Sequence, residues 1–132
     1  MHRLFQMGML AALSAGVIGC GASGGDTIDV GLSELPCEST GTTGIWASNP
    51  PAPVEESECL WFLFEANNTY IFEHPLGRVP ASFGGTLISF NDDGSAGTPP
   101  SGDVFLVIAS DESTITIKNG QNQSFFLRLV LQ

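Results

Sequence analysis

The chain predicts an all-β domain, a small antiparallel barrel or closed sandwich of about seven or eight strands, and three observations carry that prediction. Beyond residue 40 the sequence consists of short runs rich in aromatic and β-branched side chains, separated by Gly, Pro, Asn, Asp and Ser. No stretch of ten or more residues in the domain repeats its apolar side chains with the 3.6-residue period of a helix. Near the C-terminus the apolar residues alternate instead. Phe125, Leu127, Leu129 and Leu131 fall on one face of an extended chain, and Ile115 and Ile117 oppose Thr114 and Thr116, the pattern of half-buried strands.

Taken in order, Gly21 to Pro36 reads GASGGDTIDVGLSELP, rich in Gly, Ser and Asp and without a periodic apolar face, so it reads as a flexible tether. Strands are expected over Gly44 to Ala47, Cys59 to Ala66, Thr69 to His74, Thr86 to Phe90, Val104 to Ala109, Thr114 to Lys118 and Ser124 to Leu131. Val54 to Glu58 leaves room for one short helix. Asn67-Asn68 suits a two-residue hairpin turn because short amides tolerate positive φ; Asp111-Glu112 and Asn119 to Asn122 serve the later pairs. Asn91 to Asp103, NDDGSAGTPPSGD, reads as a mobile surface loop. Two runs stand apart from the alternating pattern. Cys59 to Phe64 and Val104 to Ile108 are apolar on both faces, which requires a second cover: a loop, the tether, a partner subunit or another protein.

The N-terminus carries an address. Met1-His2-Arg3 is a short basic start, Leu4 to Ile18 an apolar span, and Val17-Ile18-Gly19-Cys20 a small-residue box ending in cysteine. Together they resemble a bacterial lipoprotein signal, with the apolar span shorter than the roughly 20 residues that cross a bilayer. The resemblance implies removal of residues 1–19, acyl chains on Cys20, a tether over residues 20–36 and a β domain over residues 37–132. Gly21, rather than Asp, after the cysteine implies the outer membrane by the sorting rule of that family. The membrane partner is then reached through the acyl chains on Cys20.

Once Cys20 is lipidated, Cys37 and Cys59 remain as an even pair in an oxidising compartment, which favours a disulfide between them. The competing reading is a soft metal site built from both thiolates and His74, but no CxxC or HxxxH pair supports it, and no metal or other cofactor is expected. Charge narrows the partners further. After Arg3, only Arg78, Lys118 and Arg128 stand against fourteen Asp and Glu, none of them adjacent to another base, so nucleic acid is excluded as a partner.

Gly44-Ile45-Trp46, then Phe64 to Phe72 (FEANNTYIF), Val104 to Ala109 and the closing Phe125 to Leu131 resemble the small lipocalin-like domains of bacterial lipoproteins, antiparallel barrels of the calycin type. The resemblance covers residues 40 to 132 and implies a structural contact in which Arg128, in the last strand, packs on the Trp46 indole as a cation–π pair. It sits beside a plainer reading of Trp46 as a core aromatic. Arg128 has the opposite parity from Phe125, Leu127 and Leu129, so it would have to reach Trp46 around the barrel's end.

Catalytic constellations are not legible. Gly94-Ser95-Ala96-Gly97 lacks the spacing of a nucleophile elbow, and His74, before Pro75, reads as a solvent-facing strand end. Glu55-Glu56 and Asp92-Asp93 are adjacent acids that point apart, and Asn91 to Ser95 begins like a calcium loop without the acid that would close it. Asn67-Asn68-Thr69 and Asn122-Gln123-Ser124 match the glycosylation sequon, expected to be silent in a bacterial lipoprotein. The expected function is therefore a non-enzymatic envelope lipoprotein acting as a structural or protein-interaction module through the surface beside residues 59–66 and 104–108. The alternative is a carrier of a small hydrophobic ligand or lipid, with its ligand-binding residues unknown.

Overall fold

A computed structural model describes residues 25–132, so the lipoprotein signal and Cys20 lie outside the described residues. Ten short strands make up the fold: β1 (Thr27–Val30), β2 (Ser39–Thr40), β3 (Trp46–Ala47), β4 (Phe62–Phe64), β5 (Thr69–Glu73), β6 (Leu87–Ser89), β7 (Leu106–Ser110), β8 (Thr114–Lys118), β9 (Phe125–Arg128) and β10 (Val130–Leu131). Single 3-10 turns cover Leu32–Glu34, Ser57–Cys59 and Gly102–Val104. The one short helix allowed by the sequence near residues 54–58 is the second of these.

The strands form three sheets, none closed into a barrel. Sheet A is β1-β5-β8-β7, sheet B is β10-β3-β2 and sheet C is β4-β9-β6. One cluster of buried side chains draws on all three: Val30, Tyr70, Phe72, Ile115 and Ile117 from A, Trp46 and Leu131 from B, Phe64, Ile88, Phe125 and Leu127 from C. Phe62 meets Tyr70 and Phe72 edge-on with ring centroids 5.2 and 5.1 Å apart, joining the inner faces of A and C. Edge-to-face rings at this spacing are favoured by their quadrupoles, beyond the area they bury. The strand pleat selects Phe62 for this core and turns Trp61 and Leu63 to the other side of β4.

Three departures from the sequence reading have physical reasons. The tether expected over residues 20–36 does not extend through residues 27–35, because β1 adds parallel to β5 from Thr27↔Thr69 to Val30↔Phe72, and Val30 and Leu35 are buried. Four residues, TIDV, are too few to show a period, and the Gly-rich flanks mask them. This pair also makes the fold mixed, whereas an all-antiparallel arrangement was expected.

Second, only one of the three expected hairpins joins paired strands. Asp111-Glu112 links β7 to β8. The Asn67-Asn68 turn does have a positive φ at Asn67, 64°, but it carries the chain from sheet C to sheet A, and residues 119–122 carry it back. Turn chemistry specifies a reversal, not the strand with which the reversed chain pairs.

Third, the expected last strand, Ser124 to Leu131, breaks at Leu129 as it passes from sheet C to sheet B. Side-chain hydroxyls bridge the break: Leu129 N–H donates to Ser48 Oγ at 2.9 Å, and Val130 N–H donates to Thr86 Oγ1 at 2.9 Å. Buried backbone groups that leave a ladder need such partners.

Candidate functional site

β7 is the outermost strand of sheet A. Among the described residues it pairs only with β8, from Leu106↔Lys118 to Ser110↔Ile115, and its other edge is free. The segment Leu106-Val107-Ile108-Ala109-Ser110 carries no charge, and its β-branched residues favour extended backbone. Three consecutive large apolar residues there face solvent, Leu106 at 37%, Val107 at 42% and Ile108 at 58% exposure. The register slips between Val107 and Ala109, which leaves Ile108 as a bulge residue without a partner on β8.

Acidic groups stand at both ends of this strand. Asp103 lies just before it, in the Gly102–Val104 turn, with its carboxylate accepting from Gln121 Nε2 at 3.1 Å. After it, Asp111 Oδ1 accepts the Ser113 and Thr114 N–H groups at 2.9 and 2.8 Å, and both hydroxyls as well. Those backbone bonds, Ser113 first and Thr114 second, hold the Asp111 carboxyl below the usual carboxylate range, so it is anionic at neutral pH. Glu112 is exposed beside it. Ser110 Oγ, at the end of β7, is buried without a hydrogen-bond partner.

The other run that reads as apolar on both faces has been covered. Val54, Cys59 and Trp61 form a second buried cluster on the outer side of sheet C, against Leu60, Leu87, Phe126 and Cys37. The lid is residues 91–97: Asp92 and Asp93 carbonyls accept the Trp61 and Val54 N–H groups at 2.9 and 3.0 Å. Gly94 has φ +83° and lies against the indole, where any Cβ would fall within van der Waals contact of Trp61 ring atoms. The expected mobile loop is thus pinned over Trp61, and the Asp93 carboxylate closes on Ser95 N–H and Oγ at 2.9 and 2.7 Å instead of facing a cation. Leu63, 44% exposed, is the one apolar residue of the 59–66 run that remains open.

Cys37 and Cys59 are joined, with Cα atoms 5.4 Å apart, and the link ties the segment before β2 to the turn before β4. His74 is not near them: the one group of potential metal-binding side chains among the described residues is Cys37, Glu58 and Cys59. Nor is His74 at a solvent-facing strand end, being 4% exposed. Its Nδ1 accepts the Leu76 N–H at 3.3 Å, which leaves Nε2 to donate to the Asp111 carbonyl at 3.0 Å and fixes the tautomer. The imidazole is a strut between β5 and the β7–β8 hairpin.

Trp46 and Arg128 are given different partners. The indole Nε1 donates to the half-buried Glu38 at 2.6 Å, while Arg128 Nε donates to the Asn49 carbonyl at 2.8 Å. The expected cation–π contact is not formed, because Leu127 takes the inward position of β9 and the pleat turns Arg128 to the other face. Partial burial there holds the guanidinium below its ordinary pKa.

Sequence reading missed a polar clasp at the end of sheet A where β1 begins. Asn68 Oδ1 accepts the Asp26 N–H at 2.9 Å; Asn119, fully buried, donates through Nδ2 to the Phe64 and Gln123 carbonyls and accepts the Gln121 N–H. Asn67 and Asn122, the two sequon asparagines, bond each other at 3.1 Å. These residues were legible only as turn formers.

Comparison with models of known protein families, with curated proteins and with solved structures found no match for this chain. Two open surface depressions, of about 440 and 190 Å³, are lined by Asp103 with Gly120 to Gln123 and by Asp29 to Gly31 with Ile71, Glu73 and Thr114. Neither is an apolar interior pocket of the kind that encloses a hydrophobic ligand.

Proposed function

We propose that the protein is an acylated envelope lipoprotein whose sandwich-like β domain is a non-enzymatic interaction module, with the free edge of β7 as its contact surface. The observation that carries this reading is the run Leu106-Val107-Ile108, exposed on an unpaired strand edge while the equivalent run at residues 59–64 is covered by the chain itself. Free edges with apolar side chains are templates for another strand, and proteins that do not use them blunt them with charge, Pro or bulges; β7 has the bulge at Ile108 but no charge or Pro. The carrier reading rests on the sequence resemblance. Packing favours the module, since Trp46, Phe64, Phe72, Ile115, Ile117, Leu127 and Leu131 fill the middle of the domain at 0% exposure.

Anchoring through Cys20 adds an orientation. β1 starts at Thr27, so residues 21–26 alone separate the lipid from the fold, a reach of about 20 Å when extended. Thr27, Thr69, Lys118 and Leu106 lie at one end of sheet A by register, so this end, with the start of β7, faces the bilayer. No helix among the described residues is long and apolar enough to cross a membrane. Replacing Cys20 with Ser is expected to release the protein from the membrane fraction, and unchanged retention would refute the anchor. For the edge, a photo-crosslinker at Val107 in cells should give a discrete adduct that a probe at the exposed Glu55 does not, and equal labelling from both would refute it.

A further inference from the structure

From the edge strand and its flanks we infer the chemistry of the partner: an extended apolar segment of about five residues, with Lys or Arg at both ends, adds to β7 as a fifth strand of sheet A. The inference rests on the interaction-module reading and adds the class of occupant to it. Three features of the structure select that class over a second copy of this chain.

Charge is the first. Leu106 to Ser110 is neutral, but Asp103 precedes it and Asp111-Glu112 follows it, all exposed. Lys118, the cation nearest in the sheet, is one strand back on β8, on the side of β7 away from the free edge. A strand laid along the edge therefore meets carboxylates at each end and apolar side chains between. If two copies paired edge to edge and antiparallel, the Asp103 end of one would come against the Asp111-Glu112 end of the other, opposing like charges on chains that each carry a net charge of −10. Basic termini on an incoming segment reverse that sign.

The bulge is the second. The slip at Ile108 twists β7, and two copies with the same kink at the middle of the pairing would diverge from one another, whereas a flexible segment follows the twist of one strand. The third is that Asp111 is pre-set. All four of its hydrogen bonds converge on Oδ1, which fixes the carboxylate and leaves Oδ2 without a hydrogen bond among the described residues.

The test is titration of the mature acylated protein in detergent with two synthetic peptides, KVVIVVK and EVVIVVE, read by isothermal calorimetry and by hydrogen exchange of the β7 amides. The Lys-flanked peptide is expected to bind about tenfold more tightly at low salt, with the gap closing at high salt and with β7 amides protected. Substituting Asp103→Asn with Glu112→Gln, both exposed, should narrow the gap, and Ile108→Lys should abolish binding of both peptides with the circular dichroism unchanged. Equal affinity for the two peptides, with β7 protected, would overturn the charge selection and leave the edge as an interaction surface. Failure of both peptides together with a sedimenting dimer whose β7 amides are protected would assign the edge to a second copy. Failure of both with a monomer and unprotected β7 amides would overturn this inference and the edge reading alike.

Discussion

Residues 59–64 and 104–108 are both wholly apolar and have opposite fates. Each is an unbroken apolar run next to a 3-10 turn, Ser57–Cys59 in one case and Gly102–Val104 in the other, and each continues into a short strand. β4 lies on sheet C beneath a lid formed by its own neighbourhood: the disulfide, Val54 and the 91–97 loop close over Trp61. β7 lies on sheet A, and among the described residues nothing covers Ile108. Hydrophobicity tells that a surface must be covered, and only the chain around it tells by what. Where local segments supply glycine for close approach and carbonyls for the orphan N–H groups, the cover is intramolecular; where the described residues leave the edge free, as at β7, the proposed cover is intermolecular.

The largest effect should come from removing the lid's anchor. Trp61→Ala leaves a cavity between sheet C and the 91–97 loop and should cost about 3 to 5 kcal/mol in urea unfolding, the range for buried aromatic truncations. Gly94→Val attacks the same contact from the other side, since its side chain cannot share space with the indole and its backbone is held at φ +83°. A loss below about 1 kcal/mol for either would mean that the loop does not cover β4 in solution.

Next in size is the covalent tie across the covered region. Cys37 and Cys59 are 22 residues apart, and opening that loop should cost about 3 kcal/mol through the entropy of the unfolded chain. Thiol labelling of unfolded, non-reduced protein should find neither cysteine free. Stoichiometric labelling of both would remove the tie from the comparison.

The polar clasp gives a smaller but diagnostic loss. Asn119→Ala removes the donors to the Phe64 and Gln123 carbonyls, and a buried acceptor left unpaired costs about 1 to 3 kcal/mol. Since Phe64 belongs to β4 and residue 119 follows β8, the same variant should loosen sheet C against sheet A, seen as faster amide exchange in β9.

How much of this was legible follows from what each residue had to encode. Alternation placed Phe125, Leu127, Leu129 and Leu131 on one buried face, and Thr114–Lys118 is a strand with the predicted bounds, because period-2 burial is a local property. Strand pairing is not local, so turns at Asn67-Asn68 and residues 119–122 could be found while their passage between sheets could not. β1 escaped because a short edge strand between glycines has too little pattern to read. At the candidate site the apolar run was plain from the sequence, and its lack of cover was not, since that depends on where residues 91–97 come to rest.

Acid should reach both regions in the same pH range without any substitution. Hydrogen bonds from Ser95 hold the Asp93 carboxyl below its ordinary value in the lid, and those from Ser113 and Thr114 do the same for Asp111 beside β7. A carboxyl with a depressed folded pKa contributes stability that is fully present above the unfolded value near 3.8 and lost as pH falls through the lower folded one. Trp61 fluorescence and β7 exchange should therefore hold steady from neutral pH to about pH 4 and change only below it. A transition in either near pH 6 would point to a different group.

The smallest effect on folding is expected where the effect on association is greatest. Ile108 is a bulge residue with 58% of its surface in water and no partner on β8, so Ile108→Lys removes little packing and should change stability by no more than about 0.5 kcal/mol. A lysine on an edge strand is one of the devices that stop another strand from adding, because its charge must be desolvated on pairing. If β7 is the contact surface, this variant keeps its unfolding midpoint and loses the crosslink expected at Val107. The opposite pattern, with unfolding shifted by 2 kcal/mol or more and the crosslink retained, would show that Ile108 is covered within the folded chain. The two apolar runs would then differ only in which part of the molecule covers them, and the case for an external partner would fall.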